Sequence, residues 1–438
     1  MEPTIPLWSL IPFILMLLMI AAAPLAFPHW WDRNRNKLIV SLVLGIPTAI
    51  YLIAVGLTHN LIHQIVFDYL PFIILLGSLF AITGGIHIGG DIEAKPGINT
   101  LFLGIGAVLA SFMGTTGAAM LLIRPVIRTN AQRKYRVHTI LFFIAIVANA
   151  GGLLTPLGDP PLFLLYLRGA AFDWFFHLTP EWAFVNGILL FLFFIVDSYY
   201  YRKEPETNIV LDKTKQEPIT IKGKINFIFL IGVVLSVAFL NEQYIDIMKS
   251  SPDVKYNFAS FIRELGMLSM AVLSLIFTKK SIRQANSFTW APITEVAYLF
   301  LGIFITMVPA LLYLTQNADS IGIETPAQFY YATGSLSAFL DNAPTALSFY
   351  NLALGLDLES LYGGATLVAG IPEILLTAIS LGAVFFGAMT YIGNGPNFMV
   401  KAIAEENKIK MPSFFGYMFR FSLIILLPIY ILTQLIFL

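Results

Sequence analysis

Cysteine is absent from the 438 residues. That removes disulfides, thiolate metal centres, iron–sulfur clusters and cysteine nucleophiles in one step. Charge is scarce as well: Asp, Glu, Lys and Arg make up 12% of the chain, about half of what a soluble domain carries. The 26 basic and 26 acidic residues cancel, and no basic tract is dense enough to hold nucleic acid. No phosphate-binding glycine loop, HExxH pair or serine catalytic arrangement occurs, so the reading is of a protein that is not an enzyme and needs no cofactor. What the chain does have is apolar surface, with 57% hydrophobic residues, 37 Phe and a mean hydropathy of +0.78. These proportions describe an all-α polytopic membrane protein.

Stretches long enough to span, at about 20 residues each, fall near 5–27, 39–58, 69–89, 137–168, 181–200, 225–241, 259–277, 291–314, 367–400 and 412–438. Two more, 98–127 and 327–355, are too long for one crossing and carry small or polar residues midway. The basic residues orient the set. Arg33, Arg35 and Lys37 form one cluster, and Arg124, Arg128, Arg133, Lys134 and Arg136 another. Arg202, Lys203, Lys213, Lys215, Lys222 and Lys224 follow, then Lys279, Lys280 and Arg283, and finally Lys401, Lys408 and Lys410. Together they hold 20 of the 26 basic residues, and the positive-inside rule puts them all on the cytoplasmic face. Ten crossings, two re-entrant hairpins and both termini outside satisfy every cluster. Ahead of segment 5–27 stands Glu2, where a signal peptide would carry positive charge, so the segment is read as a retained helix.

The two halves repeat. SFMGTTGAAMLL (111–122) parallels AFLDNAPTALSF (338–349), with one extra glycine in the first copy. GDPPLFL (158–164) parallels GNGPNFM (393–399). In each half a hairpin precedes a broken helix, and the charge pattern turns one half upside down relative to the other. The expected division is a first repeat, 1–200, with hairpin 98–127 and broken helix 137–168, then a solvated cytoplasmic linker, 201–224. A second repeat, 225–438, follows with hairpin 327–355 and broken helix 367–404. Interrupted hydrophobic segments at matching positions of inverted repeats point to a transporter's binding site.

LLTPLGDPP (153–161) illustrates the chemistry. Each proline removes a backbone donor, and a carboxylate near mid-bilayer costs about 2.5–3.5 kcal/mol on insertion scales. Irregular backbone survives in a membrane only against protein or a watery cavity, so the four breaks are expected to meet. They would bring together Ser111, Thr115 and Thr116, then Thr155 and Asp159, then Asp341, Asn342 and Thr345, then Thr390, Asn394 and Asn397. Gly158, Pro161, Gly393 and Pro396 shape the breaks. All these side chains offer oxygen, which suits a small hard cation. Each aspartate also stands where an N-cap would. His87 in the third crossing, Glu295 and Glu373 are candidates for a proton path. Arg124 reads as a snorkelling residue, and His59 and His63 as polar residues of an exterior loop.

GGLLTPLGDPP (151–161), SAFLDNAPT (337–345) and YIGNGPN (391–397) resemble the NhaD-type sodium/proton antiporters of the ion transporter superfamily, over about residues 35 to 430. That superfamily also holds arsenite permeases and sodium-coupled di- and tricarboxylate transporters. The resemblance implies a homodimer in the bacterial inner membrane, with lipid around it, exchanging Na+ or Li+ for H+ by alternating access. A scaffold subdomain would hold the dimer contact, and a transport subdomain would carry the hairpins and broken helices. The acidic pair falls on Asp159 and Asp341, with Thr155, Asn342 and Thr345 beside them, which implies Na+ at Asp159, Asp341 and Asn342. The carboxylate transporters use Ser-Asn-Thr signatures at both hairpin tips, where this chain has GTTG and DNAPT. No basic residue occupies a break, so an anion would approach Asp341 against repulsion. A coupled di/tricarboxylate or arsenite transporter is the alternative.

Overall fold

In hydrocarbon every backbone amide and carbonyl must be paired within the protein, which leaves helices as the economical solution for a chain this apolar. The computed structural model describes residues 3–249 and 256–438. The first half runs α1 (Ile11–Ala26), α2 (Asn34–Ala54), α3 (Thr58–Thr83), β1 (His87–Asp91), α4 (Pro96–Met113), α5 (Thr115–Thr129), α6 (Val137–Ile146), α7 (Pro160–Leu167) and α8 (Thr179–Tyr201). After β2 (Glu217–Lys222) come α9 (Ile225–Phe239), α10 (Ile262–Phe277), α11 (Ala291–Gln316), α12 (Pro326–Ser337), α13 (Asn342–Leu354), α14 (Glu373–Phe386), α15 (Gly395–Glu406) and α16 (Phe414–Phe437). Pro96, Pro160, Pro180, Pro292, Pro326 and Pro396 stand in the first turns of their helices, where the missing N–H is not needed.

Hydrogen bonds between distant residues sort the helix ends onto two faces. On one, Asn34 Nδ2 donates to the Ala291 carbonyl (3.0 Å) and Arg283 to the Ala81 carbonyl (2.6 Å). Arg128 donates to the carbonyls of Ile88 and Gly90, and the backbone N–H groups of Lys134 and Tyr135 donate to Glu204. On the other face Gln316 accepts from Ile5 N (3.0 Å), Thr315 donates to the Asn351 carbonyl (3.0 Å), and Phe437 packs on Phe184. The base of hairpin α4–α5 therefore lies on the first face and that of α12–α13 on the second. Following the chain between these anchors leaves all five basic clusters on the first face, called the basic face below.

Nine helices among the described residues are long and apolar enough to cross a membrane. One of the nine, α4, is a hairpin arm that returns to the basic face. Two shorter apolar segments, Ile225–Phe239 and Glu373–Met389, belong to crossings, which brings the crossings to ten. The third helix of each half packs on the second helix of the other, α3 on α10 and α11 on α2, while α4 lies on α6 and α12 on α14.

Two expectations change. The third crossing begins at Thr58, eleven residues before 69, because the π-helical turn Gln64–Tyr69 continues it. His59, Asn60, His63, Gln64 and Asp68 hide this part of the helix from a hydropathy scan, although Gln64 and Asp68 are buried. The crossing also ends at Thr83, so residues up to 89 are not in it; His87 lies in β1. The linker is more than a solvated connector: β2 pairs antiparallel with β1, and Asp212 Oδ2 accepts from Ala94 N (2.8 Å), strapping the base of the first hairpin.

Candidate functional site

Four interruptions of helix meet at the centre. Hairpin α4–α5 turns at Gly114, whose φ of +79° suits glycine alone, and Thr115 N donates to the Gly158 carbonyl (2.7 Å). Between α6 and α7 the chain passes a 3-10 turn, Ala150–Leu154, then a second turn closed by Gly158 N donating to the Thr155 carbonyl (3.0 Å), with Thr155 and Asp159 extended at its two ends. Gly158 must lack a side chain, since a Cβ would stand 1.9 Å from the Gly152 carbonyl oxygen. In the second half Asp341 separates α12 from α13, and the stretch Thr390–Asn394 separates the 3-10 turn Gly387–Met389 from α15. Pro161 and Pro396 sit at equivalent places in α7 and α15, and a Cβ on Gly393 would stand 2.7 Å from the Gly387 carbonyl oxygen.

Asp159 is where they join. Its Oδ1 accepts from Thr115 Oγ1 (2.7 Å) and Asn394 Nδ2 (3.0 Å), and its Oδ2 from Asn342 Nδ2 (2.6 Å). One buried carboxylate thus ties together its own break, both hairpin tips and the other broken helix. Charge-assisted bonds of this kind are the strong ones. Supporting hydroxyls hold the backbone around it. Ser111 Oγ donates to the Gly151 carbonyl (2.5 Å) and Thr155 Oγ1 to the Ser111 carbonyl. Thr390 Oγ1 repeats the latter bond, donating to the Ala338 carbonyl.

Asp341 behaves differently. One oxygen accepts from Ala343 N (3.0 Å), an N-cap on α13, and Thr345 Oγ1 donates to the Asp341 carbonyl (2.8 Å). The carboxyl is partly exposed and lines a cavity of about 350 Å³ that also touches Thr115, Thr116 and Asn394. From there the cavity runs to Asp32, Lys37 and Glu295 at the basic face. Lys37 is the one basic residue in its lining, and Glu295 holds it at 2.7 Å.

The chain matches, over residues 2–438, the family described as "Putative citrate transport". It belongs to that family. A relative is the 46 kDa membrane protein of Mycobacterium leprae, 25% identical over 326 residues, which are 70% of this chain and 68% of that protein. Fold and family together make this a multi-pass membrane transporter.

Most residues singled out from the sequence of this family member do converge, with exceptions. Asp159 stands at the N-cap of α7 by backbone angle, but its side chain accepts nothing from that helix; only Asp341 caps. The register needs no extra glycine: Gly114 and Asp341 are both the residue before the second hairpin arm, which sets Thr115 against Asn342. His87 is not in the site. It lies in β1 opposite Lys222, with Nδ1 2.8 Å from Asn286 Oδ1. Glu373 accepts from Trp174 Nε1 (2.9 Å) and lies outside the cavity lining, whereas Glu295 lines it. His59 and His63 belong to helix α3, not to a loop. Arg124 is half-buried within α5.

Asn149 was missed. Its amide donates to Asn397 Oδ1 (2.7 Å) and the Ile144 carbonyl (2.8 Å), and its oxygen lies 3.3 Å from Asn394 Nδ2. Asn397 in turn donates to the carbonyls of Gly387 and Thr390, so the pair bolts the two broken helices together. The signal was a lone amide inside an apolar run, IVANAGG, a buried polar group that demands partners.

Proposed function

We propose that this transporter exchanges Na+ or Li+ for H+ across the bacterial inner membrane, as the NhaD-type resemblance implies, with the basic face cytoplasmic and the protein a homodimer. The observation that carries the reading is the pairing of two unlike carboxylates. Asp159 is fixed by three neutral donors at the junction of all four breaks, and Asp341 faces the cavity with one oxygen engaged in its cap. The lining is acidic, with Asp32, Glu295 and Asp341 against Lys37 alone. Such a cavity attracts cations and repels anions. Asp341, flanked by Asn342, Thr116 and Asn394, offers the hard oxygen set that Na+ takes, and a proton on the same carboxyl removes the only charged ligand of that set. Binding of Na+ and H+ is then mutually exclusive, which is the requirement for antiport. Repeats 1–200 and 225–438 each contribute to both bodies: α2, α3, α10 and α11 interlock as a scaffold, and the hairpins and broken helices of both repeats form the transport body that would move against it about the shared centre.

The test uses purified protein in liposomes with a pH dye inside. A sodium pulse without organic substrate should drive proton flux, and apparent Na+ affinity should fall as pH falls, because protons compete for the carboxylate. A second reading, coupled carboxylate transport, is favoured by the description of the family and by the two hairpin helices, α5 and α13, whose N-termini meet at the cavity floor and carry partial positive charge. Sodium-dependent citrate or succinate uptake, with no sodium-evoked proton flux between pH 6 and 9, would establish that reading in place of the first.

A further inference from the structure

A second cavity, of about 590 Å³, opens between α3, the end of α7 and the described residues that follow α9 (Asn241–Met248) and lead into α10 (Tyr256–Arg263). It is built from the elements that, in the opposite half, line the first cavity. The link after α1 (Trp31, Asp32) corresponds to the link after α9 (Asn241, Gln243), and the start of α11 to the start of α3. The end of α7 stands where α15 stands in the first. Only the first reaches the central breaks. The second stops at Tyr166–Gly169, the far end of an eight-residue helix that separates it from Asp159 by about 12 Å at 1.5 Å per residue.

One ion pair ties the outer end of that helix to α3, beside the bond from the Tyr166 hydroxyl to the Val237 carbonyl of α9 (2.8 Å). Arg168, which ends α7, donates from one terminal nitrogen to Asp68 of α3 (2.9 Å) and lies 3.4 Å from Gln64 Oε1. Asp68 is 2% exposed. The guanidinium Nε has no protein acceptor, so the contact is a latch through few bonds rather than a locked fork. The open side has no such latch. Among the described residues no ion pair joins α15 to α2 or α11; Lys401 pairs with Glu405 on its own helix (2.8 Å), and Lys37–Glu295 joins α2 to α11.

We propose that the second cavity is the vestibule through which the central site opens to the face opposite the basic clusters, and that Arg168–Asp68 is the latch that holds it shut. Arg168 is a positioning residue: it fixes one end of the helix whose other end presents Asp159. When α7 swings away from α3 the pair must part and the path to the breaks opens, while α15 closes on α11. The proposal needs the chain to alternate between faces but does not depend on which ion it carries.

The chain has no cysteine, so a single reporter can be read directly. Ile392 lines the first cavity beside Asn394. In oriented vesicles I392C should react with an impermeant thiol reagent from the basic face and slowly from the other. Adding R168Q, or separately D68N, should raise the opposite-face rate about tenfold and lower the basic-face rate, the mark of a shifted two-state balance. R168K should fall between. Unchanged opposite-face labelling in both variants overturns the latch, and so does a rise from both faces, which would be general loosening. If R168Q does not reach the membrane, D68N decides. Sodium-evoked proton flux is measured on the same vesicles, so a labelling shift without any such flux would keep the latch and sink the antiporter.

Discussion

The two halves use the same four corners and fill them oppositely. In the first half the acid is on the broken helix, Asp159, and the hairpin tip is bare at Gly114; in the second the acid is on the tip, Asp341, and the broken helix offers the amide of Asn394. Backbone symmetry supplies equivalent places, and the side chains divide the work. A carboxylate that accepts from all three other breaks is an organiser, because moving it breaks bonds at every corner. A carboxylate that caps its own helix and faces the cavity is the one that, in the antiport proposed above, would exchange what it holds.

Removing the acids tests that division most severely. D159A should abolish exchange and also lower thermal stability markedly, since three buried donors lose their acceptor at roughly 1–3 kcal/mol each. D341N should abolish exchange while the melting temperature stays near wild type, because asparagine caps a helix as well as aspartate does. Equal melting temperatures for D159A and D341N would erase the distinction between organiser and exchanger. Next in size is the transposition D159N/N394D, which moves the buried acid to the equivalent corner of the other half. Sodium affinity by calorimetry should recover about tenfold relative to D159N. No recovery would mean that the corners are not interchangeable.

Alanine at the paired glycines compares the backbones. G158A puts a Cβ 1.9 Å from the Gly152 carbonyl, G393A one 2.7 Å from that of Gly387. Yield of folded protein should collapse for G158A and fall only partly for G393A, in the range of overpacking at about 1–3 kcal/mol. The smallest expected effect separates the supporting hydroxyls. Thr390 Oγ1 accepts from Ile392 N and Gly393 N, whereas Thr155 Oγ1 accepts from Leu157 N alone. T390V should therefore cost about 1 kcal/mol more than T155V, and calorimetric melting curves giving the reverse order would show the repeat to be less faithful than its hydrogen bonds.

Much of the fold is legible because the bilayer is a harsh solvent. Apolar length marks where the chain crosses, the basic clusters mark one face, and proline with glycine marks where helices break, each for a reason local to its segment. The failures have local causes too. Gln64 and Asp68 read as loop because their partner, Arg168, is 100 residues away in sequence. His87 read as part of the third crossing because ITGGIHIGG is apolar, yet its glycines let the chain leave the helix and pair as a strand with the linker.

At the site, sequence alone determined which residues are exceptional: a carboxylate, an amide or a hydroxyl amid hydrocarbon must have partners, and the chain names them one by one. Tertiary structure alone decided who partners whom. That Asp159 receives Thr115, Asn342 and Asn394, that Asp341 caps and faces the cavity, and that Asn149 clasps Asn397 depend on four segments from opposite ends of the chain arriving within 3 Å of one another. Hydrogen bonds form only within a few tenths of an ångström of that distance, so their pattern exists only once the two halves have closed on each other.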